Sequence, residues 1–242
     1  MADSPLEDLE IMDKRTVEDR MQALEQKITN RIQTCLQNPK YCMYHPKKVL
    51  WWGEETKRSV KSITMGRILH LDGDKRYSEK SIRYYKSLGL DAIVKNIPEN
   101  RQANYVVGLL EKYQPDILVV TGHDGMIKKG TAFNDVYNYR NSRHFISSVM
   151  EARKWEKKKG SLAIFAGACQ SYYEGIMGAG ANFASSPARI MIDFIDPLIV
   201  AERIATTENT KYLTIRDIEE ELRDGKEGVS GIGAMGNKRI IL

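Results

Sequence analysis

Two stretches decide the fold: Asp116-Ile117-Leu118-Val119-Val120-Thr121-Gly122-His123-Asp124-Gly125 and Ser161-Leu162-Ala163-Ile164-Phe165-Ala166-Gly167-Ala168-Cys169-Gln170-Ser171. They read alike. Each is an apolar, β-branched-rich run that closes in small residues and then presents one reactive side chain. A short continuous apolar run of this kind reads as a strand buried on both faces, as in a parallel sheet. The reactive residue then falls just past the carboxyl end of its strand, the edge of an open α/β sheet where ligands and catalytic groups collect. His123 and Cys169 on one such edge make a thiolate–imidazole pair, the simplest activated sulfur nucleophile. Positions 123 and 169 are separated by the length of one helical crossover between neighbouring parallel strands.

Outward from this pair the pattern stays regular. Arg67–Leu71 reads as a first strand, ending in Asp72-Gly73-Asp74. A helix follows over Ser78–Leu88, with Ser78 as N-cap and Gly89 as stop. Asp91–Ile97 is a second strand and Asn100–Tyr113 a helix broken by Pro115. Ile117–Thr121 and Leu162–Ala166 are the third and fourth strands, with a helix over Ser142–Lys157 between them. Asn182–Ser186 is a fifth strand, and helices are expected over Arg189–Thr206 and Ile215–Asp224. Strands alternating with helices predict βαβ units, a mostly parallel sheet and right-handed crossovers.

The first third of the chain is different. Val17, Met21, Leu24, Ile28 and Ile32 recur at helical spacing and predict a helix over Thr16–Leu36, ended by Asn38-Pro39. Residues 1–62 are expected to form an N-terminal helical arm or linker, and 63–242 the α/β domain. Trp51-Trp52 reads as arm docking or core packing rather than a stacking surface.

Composition narrows the function. With 242 residues, 42% of them hydrophobic, the chain has enough apolar material for one sizeable core. No apolar run approaches the roughly 20 residues that span a bilayer, and no signal-peptide core follows Met1. The expected setting is therefore inside a cell, away from a membrane. The net charge of +5 is spread in short clusters, without the basic stripe and interleaved aromatics of a nucleic-acid surface. Cys35, Cys42 and Cys169 form no CxxC pair, so no zinc site is expected, and neither a GxGxxG nor a Walker A pattern follows a strand. No cofactor is called for.

At the strand ends, Cys169 is the candidate nucleophile, against a buried structural thiol. A helix starting after Gln170 would stabilise its thiolate. His123 is the candidate base and later acid. The backbone N–H groups of Cys169 and of the Asp124-Gly125 turn are candidate oxyanion donors. The Asp124 side chain either orients the imidazole or faces solvent. Asp72 and Asp74 either bind a cationic substrate side chain or belong to a solvated turn.

The segments Gly66-Arg67-Ile68-Leu69-His70-Leu71-Asp72-Gly73-Asp74, Val120-Thr121-Gly122-His123-Asp124-Gly125 and Gly167-Ala168-Cys169-Gln170-Ser171 resemble the YabG family of sporulation proteases, within the caspase/gingipain/legumain superfamily of cysteine peptidases. The resemblance runs from about Gly66 to the end. It implies a caspase-hemoglobinase-like sheet flanked by helices and a His123–Cys169 dyad. It implies cleavage of spore coat and related spore proteins after Arg during sporulation, in the cytoplasm of the sporulating cell or at the spore coat. In Arg-specific relatives a carboxylate near the end of the first strand lines the pocket for the residue before the cut; Asp72 matches that place best and Asp74 second. Two features depart from the pattern. Asp124 stands where such peptidases often have Gly after the His, and the small β-rich segment with which family members begin does not precede Met1, which implies a truncated or processed form. Self-cleavage is expected at Arg153–Lys159. The rival readings are an amidotransferase-like Cys hydrolase, disfavoured because no His follows Cys169, and a non-catalytic peptide-binding domain.

Overall fold

The computed structural model describes residues 62–128, 130–156 and 162–241. The helix expected over Thr16–Leu36, Cys35, Cys42 and Trp51-Trp52 lie outside the described residues.

Strands β2 (Ile68–Asp72), β3 (Ala92–Asn96), β4 (Ile117–Thr121), β5 (Ala163–Ala166), β6 (Phe183–Ser185) and β8 (Val229–Gly231) form a six-stranded sheet in the order β3-β2-β4-β5-β6-β8. The first five run parallel and β8 returns antiparallel to β6. Two short antiparallel pairs stand apart: β1 (Ser62–Thr64) with β10 (Arg239–Ile241), and β7 (Tyr212–Leu213) with β9 (Ala234–Met235). This is the mostly parallel α/β architecture that the alternating pattern predicts.

The sheet is covered on both faces, so β2, β4 and β5 are buried at every position, apolar throughout except for His70 and Asp72 of β2 and Thr121 of β4. One face holds Leu69, Leu71, Leu118, Val120, Ile164 and Ala166 against Val106 and Leu110 of α2 (Glu99–Tyr113) and Phe145, Val149 and Ala152 of α3 (Ser142–Trp155). The opposite face is packed by α1 (Lys75–Ser87) and α5 (Asp196–Thr206). Each buried Leu, Ile, Val or Phe there contributes about 1.5–3 kcal/mol relative to exposure.

Element starts differ from expectation in two places that shape the site. Helix α1 begins three residues before Ser78, at Lys75, because the Asp74 carboxylate caps it, accepting the Arg76 and Tyr77 N–H groups. Helix α5 begins at Asp196, not Arg189, with Pro197 in its first turn. Residues 189–195 instead run as an irregular segment over the carboxyl end of the sheet, entered through Ser186 and Arg189 in the left-handed region. The helix expected over Ile215–Asp224 is two 3-10 turns, Ile215–Asp217 and Glu219–Glu221. The Thr214–Asp217 capping box closes the first, and Ile215 and Ile218 are spaced as well for a three-residue turn as for an α-helix.

Candidate active site

The register of β4 and β5 brings the loops that carry the two reactive residues off neighbouring strands at the same step. Val120 lies opposite Ala166, and His123 and Cys169 each follow three residues later. The loops that carry them are stitched together. The Ser171 hydroxyl donates to Asp124 Oδ2 at 2.9 Å, and the Met126 N–H reaches Gln170 Oε1 at 3.4 Å. Tyr77 of α1 packs its ring edge-on to the His123 imidazole at 6.0 Å, and burial first, then the charges of Asp74 and Cys169, raise its hydroxyl pKa.

Asp124 neither orients the imidazole nor faces solvent. Its carboxylate is the buried knot of the two loops, taking the N–H groups of Gly125 and Asn141 and the hydroxyls of Ser142 and Ser171. Burial raises its pKa, against those donors. Adjacent side chains diverge, so Asp124 turns inward as His123 turns out. This corrects one expected oxyanion donor, since the Gly125 N–H is spent on Asp124 Oδ1 at 2.9 Å.

His123 is held by its main chain. Its N–H donates to Glu99 Oε1 at 2.7 Å and its carbonyl accepts from Asn141 Nδ2 at 2.8 Å. The Glu99 carboxylate sits where Gly73 and Gly122 approach, and a Cβ at either position would collide with it. Two glycines at the ends of β2 and β4 are thus a cradle for an acidic side chain at the start of α2. The imidazole Nε2 lies 2.9 Å from Asp74 Oδ2, with the histidine side chain 49% exposed and the aspartate 29%.

Cys169 sits in a sharp turn, with Gln170 in the left-handed region at φ 53°. Its thiol points at the Ile192 carbonyl, 3.8 Å away, in the segment that precedes α5. That segment is fastened by the Gln170 N–H to the Ile190 carbonyl at 3.0 Å and by Phe194 stacked on Tyr77 at 5.5 Å, with Lys80 over both rings. Burial pushes the thiol pKa up, only partly offset by backbone groups of Ile192 and Cys169 and by Arg223. The expected helical stabilisation of a thiolate is not built here. Helix α4 (Tyr173–Gly178) starts four residues after Cys169 and is six residues long, too short for much of a dipole.

Asp72 lies beneath the rim, 5% exposed. Its Oδ1 takes the Asp74 N–H at 2.7 Å and its Oδ2 the Thr121 hydroxyl at 2.8 Å. That hydroxyl in turn lies 2.7 Å from His70 Nε2, and Tyr85 Oη 3.2 Å from His70 Nδ1. Because Thr121 donates to the carboxylate, His70 must donate from Nε2 and accept from Tyr85 at Nδ1. Burial lowers the His70 pKa to about 3, so the ring is neutral and no ion pair forms with Asp72. Burial likewise raises Asp72 from 3.8 to about 6.

Sequence reasoning missed Glu99, Asn141, Ser142, Tyr77 and the segment over the thiol. The Asp74 cap could have been read from Asp74 followed by the helical run, a stronger start than Ser78. The other partners are long-range and left no local signal. Among the described residues no group of three or more His, Cys, Asp or Glu could hold a metal ion, and no helix is long and apolar enough to cross a membrane.

The class is therefore an α/β protein with His123 and Cys169 each in the loop that follows one of two neighbouring parallel strands, at the carboxyl end of the sheet. The chain belongs to the YabG peptidase U57 family, whose family model matches residues 1–242. It is 39% identical over 175 residues to the sporulation-specific protease YabG of Bacillus subtilis (strain 168), an alignment covering 72% of this chain and 60% of that protein. The chain thus spans less than two thirds of the curated relative it matches. No solved structure matches it.

Proposed function

We propose that this chain is a cysteine endopeptidase of the sporulating cell, with Cys169 as nucleophile and His123 as base and then acid, on a caspase-like sheet. The observation that carries the reading is the in-register pairing of β4 with β5, with His123 and Cys169 three residues beyond Val120 and Ala166. Family membership supports the protease activity, since the curated relative is named a sporulation-specific protease.

In this mechanism a substrate strand displaces the Ile192 carbonyl from the thiol. His123 takes the thiol proton, and the sulfur forms a bond to the scissile carbonyl carbon while its π electrons move to oxygen. The oxyanion accepts from the N–H groups of Cys169 and Asp124. Collapse breaks the C–N bond, His123 returns the proton to the leaving amine, and water hydrolyses the thioester.

Spore coat and related spore proteins, cut after Arg, are the proposed substrates, and the site of action lies within the sporulating cell or at the coat. Of the two carboxylates expected to meet an arginine, Asp72 is buried with both oxygens engaged, and Asp74 could pair with it only by releasing His123 Nε2. Self-cleavage is also proposed; Arg153 is the only arginine of the expected stretch Arg153–Lys159, and 157–159 lie outside the described residues. Arg153 lies within α3, its guanidinium bound to Glu156, Asn182 and the carbonyls of Leu162 and Gly180, so it is no site for a cut.

The test is hydrolysis of Arg-containing peptides by the purified protein and by Cys169→Ala and His123→Ala. Loss of turnover in both, with unchanged circular dichroism, supports the reading. Turnover retained by Cys169→Ala overturns it. N-terminal sequencing of fragments from the active protein and from the Cys169 variant checks self-cleavage.

A further inference from the structure

The two oxygens of Asp74 have separate tasks. Oδ1 accepts the N–H groups of Arg76 at 2.7 Å and Tyr77 at 3.0 Å, and so caps α1. Oδ2 is left over, 2.9 Å from His123 Nε2. The carboxylate is not free to swing away. Its own N–H is tied to Asp72 Oδ1, and Asp72 is buried on the Thr121 hydroxyl. The imidazole is equally constrained, through Glu99 and Asn141 on its main chain and Tyr77 on its ring edge. Cap, carboxylate and imidazole make one assembly in which a helix start aims an acceptor at one nitrogen of the candidate base.

We propose that Asp74 is the positioning residue for His123. By accepting the Nε2–H it selects the tautomer in which Nδ1 carries the lone pair, so that Nδ1 takes and returns the Cys169 proton. It also stabilises the imidazolium while the proton is held there. This rests on the dyad reading above and deepens it. Burial raises the Asp74 pKa, but the bonds from His123, Tyr77 and Arg76 outweigh it and hold the group below its ordinary value, ionised and able to accept.

Two alternatives use the same residue differently. Capping alone needs only Oδ1, and arginine binding needs Oδ2 turned to the substrate. Asp74→Asn separates all three. Asn caps a helix as well as Asp. The atom that accepts the Arg76 and Tyr77 N–H groups must remain an oxygen, so the amide NH₂ falls where Oδ2 was. It then donates to His123 Nε2, which forces the ring proton onto Nδ1, the nitrogen the mechanism needs free. Asp74→Ser keeps the cap but is too short to reach the ring, and leaves the tautomer unbiased.

Three measurements follow. Imidazole ¹⁵N shifts of histidine-labelled protein, with His123→Ala to assign the signal among the four histidines, report the tautomer without any need for turnover. Nε2–H in the parent protein and Nδ1–H in Asp74→Asn is the expected result. The rate of peptide hydrolysis should fall on the order of 10³-fold or more in Asp74→Asn, and less in Asp74→Ser, on Arg and non-Arg substrates alike. Alkylation of Cys169 by iodoacetamide, which has no side chain to recognise, should slow in the same order. An unchanged tautomer in Asp74→Asn overturns the proposal, as does a loss confined to Arg substrates with alkylation untouched. Equal losses in both variants accompanied by a lower melting temperature also overturn it. Turnover by Cys169→Ala overturns the dyad itself, and the ¹⁵N result still stands or falls separately.

Discussion

Asp72→Asn tests how the floor of the site is built. Asp72 is a buried carboxylate whose pKa is raised by burial from 3.8 to about 6. The folded form holds its proton more tightly than the unfolded chain, so the ionised group opposes folding above about pH 6. That opposition fades as pH falls toward the unfolded value. The full shift of about two units corresponds to about 3 kcal/mol, of which about 2 kcal/mol is recovered between roughly pH 7.5 and pH 4.5. His70, neutral and buried beside the same hydroxyl, acts in the opposite sense. Its pKa is lowered on folding, so its contribution is present above the unfolded value and is lost as pH falls below it. The stability of the parent protein thus mixes two opposed terms, while the difference between it and Asp72→Asn isolates the carboxylate. Urea unfolding of both proteins across this range is the assay. The advantage of the Asn variant at neutral pH, relative to acid, should be about 2 kcal/mol. Curves that stay parallel would show that Asp72 is solvated, and the buried chain from Tyr85 through His70 and Thr121 would lose its support.

Phe194→Ala removes the ring stacked on Tyr77 and loosens the segment whose Ile192 carbonyl covers the thiol. An aromatic pair contributes about 0.5–1.5 kcal/mol beyond its buried area, so alkylation of Cys169 should quicken by up to about tenfold, read by mass spectrometry. An unchanged rate would mean that the segment opens freely already. Asp124→Ala leaves the Asn141 and Gly125 N–H groups and the Ser142 and Ser171 hydroxyls without their shared acceptor. Unfolding free energy should fall by about 3 kcal/mol or more, measured in urea, because several buried donors lose one partner together. A loss under about 1 kcal/mol would show that water replaces the carboxylate.

The strands were legible because a buried parallel strand must be apolar on both faces, and Ile117–Thr121 and Ala163–Ala166 carry that pattern with little to compete. The α1 start was misplaced because Ser78 resembles a cap, whereas Asp74, bound to two N–H groups, performs that task. The irregular run at 189–195 reads as helix in the sequence because its apolar residues, Ile190, Met191, Ile192 and Phe194, serve a cover over the sheet end rather than a helical stripe. Asp124 could not be placed from sequence, since its four partners come from positions 125, 141, 142 and 171.

Local pattern by itself determined the parallel α/β sheet and the two residues at its edge, because burial and side-chain type act over a few neighbouring positions. Tertiary structure alone decided which carboxylate meets the imidazole, which is sealed under the rim and which ties the loops together. Asp72, Asp74 and Asp124 are chemically the same residue, and only the groups brought against each by the fold give them different work.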